Sequence, residues 1–227
     1  MRVFAIADPH LSKAQPKPMS IFGGNWEGHP EVFFAGWREV VQPDDVVIVP
    51  GDLSWAMRLE EALLDLQDIA KLPGSKIILR GNHDYWWASI SKVRKALPGG
   101  MYALQNDSLV LNGVAIAGTR GWDTPQARPL GAEDEKIYLR EVERLKLSLE
   151  SLKTPYQKLI VALHYPPTLG EANGFTELIE QYHPDAVVYG HLHGATPDWL
   201  IHNWQGVPLH LVAADFLDFR PRLILET

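Results

Sequence analysis

Short apolar runs recur along the chain, and most stop abruptly at a glycine or a cluster of polar residues. Residues 2–7, 46–49, 76–79, 159–163 and 186–189 are runs of this kind. They are short, bounded by turn signals and rich in Val, Ile and Leu, which predicts buried strands. Helical spacing appears between them. Val32, Phe33, Ala35, Trp37 and Val40 mark a helix over 31–41, and Leu59, Leu63, Leu66 and Ile69 mark another over 58–71, stopped by Pro73-Gly74. Residues 85–97 predict a third, ending before Pro98-Gly99-Gly100, and 175–182 a short one. The clearest helix spans 133–152. Tyr138, Val142, Leu145, Leu149 and Leu152 form one stripe, and acidic residues fill the first turn, where the helix dipole favours them. The stripe covers about two heptads, short of the three or four that argue for a coiled coil, so packing against a sheet is expected.

Between 101 and 118 short strands alternate with turns at Asn106-Asp107 and Asn112-Gly113, the second a strong hairpin signal. Two further strands are predicted at 209–213 and 222–225. Residues 11–30 contain Pro16, Pro18, Gly23, Gly24, Gly28 and Pro30 and read as a long loop, a candidate lid carrying Trp26 and His29. Residues 119–131 read as a polar loop. Strands alternating with helices, followed by hairpin-like strands, predict an α/β fold in which a sandwich of sheets is covered by helices. No repeat, low-complexity segment or linker interrupts the sequence, so one domain over 1–227 is expected.

Composition narrows the chemistry. Hydrophobic residues make up 46% and charged residues 22%, which suits a globular chain with a sizeable core. The formal charge of -7 gives no support for non-specific attraction to a nucleic-acid backbone. The absence of cysteine excludes disulfides, thiolate metal sites and cysteine nucleophiles, and fits a reducing compartment. The first apolar run is too short for a signal peptide, and no segment approaches the ~18 apolar residues of a membrane span. A cytoplasmic location is expected, with no membrane partner.

The polar residues that end the strands share one character: Asp8 and His10, then Asp52, then Asn82, His83 and Asp84, then His164, then His191 and His193. In α/β folds ligands bind outside the carboxyl ends of strands, so these groups can converge despite their separation in sequence. Imidazoles, carboxylates and one amide, with no sulfur, suit Mn, Fe, Zn or Ni rather than a structural zinc site. Two such ions about 3.5–4 Å apart form a device for phosphoester hydrolysis, lowering the pKa of a shared water and neutralising phosphoryl oxygens during in-line displacement. Each motif alone is weak: Asp-x-His can merely turn the chain, and Gly-Asp is a common turn dipeptide. Their joint occurrence, each after an apolar run, carries the reading.

The series Asp8-x-His10, Gly51-Asp52, Gly81-Asn82-His83-Asp84, His164 and Gly190-His191-x-His193 resembles the signature of the calcineurin-like metallophosphoesterase superfamily, over residues 8 to 193. The resemblance implies a four-layer α-β-β-α sandwich with a dinuclear metal centre. It assigns one ion to Asp8, His10, Asp52 and His193, and the other to Asp52, Asn82, His164 and His191, with Asp52 bridging. His83 is then no ligand but a general acid to the leaving oxygen or a phosphate contact, and Asp84 either orients His83 or ties down its loop. The implied activity is hydrolysis of a small phosphomonoester or phosphodiester by a hydroxide bridging the two ions.

One departure matters. Gly51-Asp52 continues into Leu53-Ser54-Trp55 rather than the Asp-Arg-Gly of the protein serine/threonine phosphatases, so the carboxylate that orients the catalytic histidine in that branch is missing. Trp55, Trp86, Trp87 and Trp122 flank the motifs. Trp86 and Trp87 are expected to pack a helix onto the sheets, whereas Trp122 and Arg120, in the polar loop, are candidate substrate contacts. His29, His183, His202 and His210 match no motif and are expected on the surface or in the lid. Two alternatives remain beside the phosphohydrolase: a nuclease, which the acidic balance disfavours, and a catalytically silent metal-supported scaffold, which retention of every ligand disfavours.

Overall fold

The computed structural model describes residues 1–125 and 127–227. Its strands form two mixed sheets. In the first, β1 (Arg2–Ala5), β2 (Val46–Pro50), β3 (Ser75–Leu79) and β4 (Met101–Ala103) run parallel, and β11 (Arg222–Glu226) joins antiparallel beside β1. In the second, β6 (Val114–Thr119), β7 (Lys158–Leu163), β8 (Ala186–Tyr189) and β10 (Val207–Leu211) run parallel. There β5 (Ser108–Leu111) and the two-residue β9 (Asn203–Trp204) are the antiparallel edges. The helices are α1 (His29–Val40), α2 (Leu59–Ala70), α3 (Ile90–Ala96), α4 (Ala132–Glu150) and α5 (Gly174–Tyr182).

Strand alternation sorts the core into three layers. Val3, Ala5, Ile48, Ile77 and Leu79 face Val114, Ile116, Ile160, Ala162 and Val188 between the sheets. The intervening positions Phe4, Ile6, Val47, Val49 and Ile78 face outward against Phe33 and Trp37 of α1 and Leu66 and Ile69 of α2. On the far side, Ala115, Val161 and Val187 meet Tyr138, Leu145 and Leu149 of α4 and Phe175 and Ile179 of α5. Runs buried on both faces are therefore apolar at every position, as the sequence shows. The stripe of α4 packs on β6 and α5, and the result is the α-β-β-α layering.

The chain passes from the first sheet to the second between β4 and β5, and a bridge beyond β1 ties the two together. Chain crossing from β4 to β5 turns at Asn106, which takes φ 62°, while the β5–β6 hairpin turns through Asn112 (φ 48°) and Gly113 (φ 83°), both left-handed as a type I′ turn requires. Beyond β1 the chain bonds to both sheets: the Ile6 and Asp8 N–H groups still donate to the carbonyls of Ile48 and Gly51, at 3.1 Å each. Ala7 pairs with Ala213, its N–H donating to the carbonyl of Val212 at 2.7 Å and its carbonyl accepting from Ala214 at 2.9 Å. This stitch clamps the two sheets at their carboxyl ends and sets Asp8 between them.

Three local expectations are corrected. The predicted helix over 85–97 begins only at Ile90; the preceding residues are held by Asp84 and by burial of Trp86 and Trp87, which enter the core from irregular backbone. The loop over 11–30 contains two short 3-10 turns, Met19–Phe22 and Gly24–Trp26, and ends in the first turn of α1. His29 is no surface residue. It is buried at the start of α1, with Nδ1 3.2 Å from the carbonyl of Trp26 and its ring 5.2 Å from that indole.

Candidate metal centre

The carboxyl ends of β1, β2, β3, β7 and β8 converge, and with them Asp8, His10, Asp52, Asn82, His164, His191 and His193. Asp8, Asp52 and His164 offer ligand atoms within 4.8 Å of one another, as do Asp8, His10 and His193. Asp52 Oδ2 lies 3.5 Å from His164 Nε2 and 3.8 Å from His10 Nε2, between the two groups. Asn82 Oδ1 lies 2.6 Å from His164 Nε2 and 3.0 Å from His191 Nδ1. His10 Nε2 is 3.2 Å from His193 Nε2.

The backbone that delivers these groups is strained. Asp8 (φ 58°), His10 (φ 45°), Asp52 (φ 54°) and His191 (φ 70°) all adopt left-handed conformations that non-glycine residues rarely take. Each such residue costs on the order of 1–3 kcal/mol and persists only where its surroundings over-determine it. The motif glycines explain how the residues fit. A Cβ on Gly51 would stand 2.6 Å from His164 Nδ1, one on Gly81 would overlap Asp52 Oδ1 and the Asp52 nitrogen, and one on Gly190 would overlap Asp8 Oδ2. Each glycine before a motif thus clears space for a donor from a different motif.

Hydrogen bonds fix the orientation of the imidazoles. His164 Nδ1 lies 3.0 Å from the carbonyl of Pro50, so Nδ1–H donates there and Nε2 keeps its lone pair toward Asn82 and Asp52. His193 Nδ1 is held the same way, 3.0 Å from Asp215 Oδ1, while Asp215 Oδ2 accepts from the Gly194 N–H at 2.9 Å. Burial would raise the Asp215 carboxyl, but these hydrogen bonds hold it below its ordinary value. The sequence motifs do not include Asp215. Its sequence signal is a shorter apolar run, Leu211-Val212-Ala213-Ala214 after His210, ending in a carboxylate without a recognisable motif around it.

The chemistry of this donor set fits a divalent cation. Burial pushes His164 and His191 down to about 3, so both rings are neutral at physiological pH and keep a lone pair that a cation could use. Burial raises Asp8 well above its ordinary range, reinforced by the charge of Asp52, and lifts Asp52 to about 6. Asp8 Oδ1 is buried with no hydrogen-bond partner. Buried carboxylates next to lone-pair nitrogens, with no positive side chain among them, are what a cation would neutralise.

His83 stands apart from the cluster. Its N–H donates to Asp52 Oδ1 at 2.8 Å, its ring lies 4.5 Å from that of Trp55, and Nδ1 is 3.3 Å from the Tyr85 hydroxyl. Burial lowers its pKa, against the opposing charge of Asp52. Asp84 takes the second of its two expected roles. Its buried carboxylate accepts from the N–H groups of Gly81 (2.8 Å), Asp52 (2.8 Å), Leu53 (2.9 Å) and Ser54 (3.2 Å) and from the Trp86 indole (2.8 Å). It fastens the two motif loops together and makes no hydrogen bond to the His83 ring.

A cavity of about 440 Å³ opens beside His10, His83 and His193, walled by Met19, Phe22, Trp26 and Trp55. The expected lid residues thus form its side, with the Lys17 ammonium 4.0 Å above the Trp55 ring. Arg120 and Trp122 lie on the opposite side. The Arg120 guanidinium sits 4.6 Å over the Trp122 ring, and Trp122 leans on Tyr165, whose ring is 4.0 Å from that of His191.

Residues 1–195 match the family described as calcineurin-like phosphoesterase, and the chain belongs to that family. Membership points to metal-dependent phosphoester hydrolysis. No curated protein matches the sequence. Among solved structures, the chain is similar to the phosphopantetheinyl hydrolase PptH from Mycobacterium tuberculosis (TM-score 0.60, 16% identity, 100% of this chain and 96% of that one). It is also similar to TT1561 of Thermus thermophilus (0.54, 17%, 84% and 81%) and to AQ665 from Aquifex aeolicus, a protein of unknown function (0.51, 16%, 98% and 95%). At these identities the likeness concerns the fold. Among the described residues, no helix is long and apolar enough to cross a membrane.

Proposed function

We propose that the protein is a phosphohydrolase that uses two divalent ions to cleave a small phosphomonoester or phosphodiester, without a covalent enzyme intermediate. The observation that carries this reading is the position of Asp52 Oδ2 between two groups of buried donors. Asp8, His10, Asp52 and His193 would hold one ion, and Asp52, Asn82, His164 and His191 the other. Bound ions supply Lewis acidity, acidifying water and neutralising phosphoryl oxygens.

The chain's own residues do the remaining work. Asp215 and the Pro50 carbonyl hold His193 and His164 with Nε2 free. His83, tied through its backbone to Asp52 and bordering the 440 Å³ cavity, gives its proton to the leaving oxygen. Tyr85 and the face of Trp55 orient that ring, taking the place of the carboxylate absent from Leu53-Ser54-Trp55. The apolar walls exclude water from the leaving group, and Arg120 and Trp122 contact substrate from the other side. The partner is a small phosphorylated molecule.

The test is a panel of aryl phosphomonoester, aryl phosphodiester and cyclic nucleotides, run on protein reconstituted with Mn, Fe, Zn or Ni. Hydrolysis of at least one class is expected, abolished in His83→Ala while the bound metal is unchanged. No hydrolysis with both ions present would contradict the reading. Equal activity in His83→Ala would remove the general acid.

A further inference from the structure

A second pocket, of about 230 Å³, opens on the same rim of the sandwich. It is lined by Arg80, Arg120, Arg140 and Arg144 with Gln105 and Asn106, and its one carboxylate is Glu141. That carboxylate is already committed: Oε2 accepts from the Thr119 hydroxyl at 2.6 Å, and Oε1 lies 2.6 Å from Arg144 and 3.4 Å from Arg120. Among the described residues Arg80 and Arg140 have no ion-pair partner.

Four guanidinium groups around one shared carboxylate leave a formal excess of three positive charges. Burial lowers the pKa of Arg120; Glu141 opposes this, and the charges of Arg80 and Arg144 add to it. The Nε atoms of both Arg80 and Arg120 are buried with no hydrogen-bond partner. A buried donor without a partner is a standing penalty that a bound acceptor would relieve. Guanidinium groups that line one small cavity, two of them without an ion-pair partner among the described residues, have the planar fork for bidentate capture of phosphate oxygens.

The location links this pocket to the metal centre. Arg80 immediately precedes Gly81-Asn82, and the carbonyl of Arg120 accepts from the N–H groups of His164 and Tyr165 at 3.0 Å each. Arg80 and Arg120 leave the carboxyl ends of β3 and β6, and β6 is the immediate neighbour of β7, which delivers His164. The backbone segments that carry Arg120 and His164 are therefore one strand spacing, about 5 Å, apart. A small molecule can span that distance.

We propose that the arginine pocket is a subsite for a second phosphate or a diphosphate carried by the substrate, away from the ester that is cleaved. The assignment rests on the phosphohydrolase reading, but its test is binding rather than turnover. Calorimetric titration of the metal-loaded protein compares adenosine 3′,5′-bisphosphate with adenosine 5′-monophosphate. The bisphosphate should bind at least tenfold more tightly, and Arg80→Met should collapse that ratio toward one. Arg140→Met, on the exposed side of α4, should reduce it several-fold and serves where Arg80→Met fails to fold. Equal affinity for the two nucleotides in the wild type, or a ratio unchanged in both variants, would overturn the subsite. A tenfold ratio in a protein that hydrolyses nothing in the ester panel would sustain the subsite and sink the reaction.

Discussion

Replacing Asp84 by asparagine separates fastening of the motif loops from orientation of His83. The carboxylate is fully buried, and its two oxygens divide five donors: Oδ2 takes the N–H groups of Gly81 and Asp52, while Oδ1 takes those of Leu53 and Ser54 and the Trp86 indole. An amide can keep one of these oxygens. Its NH2 group then faces at least two N–H donors, leaving them unpaired in the core. At about 1–3 kcal/mol for each buried group without a partner, Asp84→Asn should lose roughly 2–6 kcal/mol of folding stability. Burial, with the charge of Asp52, pushes Asp84 up to about 7, so part of its charge is already penalised and the lower half of that range is expected. The same loops carry Asp52 and Asn82, so retention of metal should fall together with stability. Denaturant unfolding and elemental analysis of the variant read the two effects. A variant with wild-type stability and full metal content, but reduced turnover, would refute fastening and restore the role of orienting His83.

Three further outcomes follow from the geometry. Gly81→Ala places a Cβ against Asp52, whose backbone cannot yield while Asp84 holds it; metal content should drop by at least half, and full occupancy by elemental analysis would show that the loops give way. Tyr85→Phe removes the hydroxyl beside His83 Nδ1 and leaves the core intact, because Tyr85 is half exposed. It should lower kcat about threefold to tenfold, shift the His83 limb of the pH–rate profile and leave stability unaltered; an unchanged profile would remove Tyr85 as a positioning residue. Lys76 is buried with its ammonium on the carbonyls of Ala70 and Leu72, and desolvation lowers it to about 8. Between about pH 8 and 10.5 the unfolded chain holds a proton that the folded chain has lost, so stability rises with pH in that window, by up to about 3 kcal/mol. The stability difference between wild type and Lys76→Met should change steadily with pH across that window, in favour of the wild type; a flat difference would mean that the amine is solvated.

Convergence of the candidate ligands is legible because each follows an apolar run whose end the sequence marks with glycine or proline, and the strand ends of an α/β sandwich meet at one rim. The layering was legible for a related reason: runs such as Val46-Val47-Ile48-Val49 are apolar at every position only when both faces are covered. What escaped lies in tertiary detail. Apolar and aromatic residues after Asp84 suggested a helix from residue 85, but burial of Trp86 and the hydrogen bonds to Asp84 override local propensity there. His29 reads as a surface or lid residue because no local pattern forecasts that Trp26 folds back onto it or that the distant Phe219 ring closes over it. Asp215 lacks a motif, and its role depends on the crossing of the chain after β10 past Ala7, a contact over some two hundred residues of chain that no local pattern encodes. The arginine pocket assembles from four separate segments and is visible only once they meet.

If Asp52 serves two ions in one centre, its loss must cost both sites. Elemental analysis of wild-type protein and Asp52→Asn, purified in parallel and reconstituted with the same metal, tests it most directly. Two equivalents per chain are expected in the wild type, and loss of more than one in the variant. Two full equivalents retained by Asp52→Asn, or a wild type that saturates at one, would contradict it.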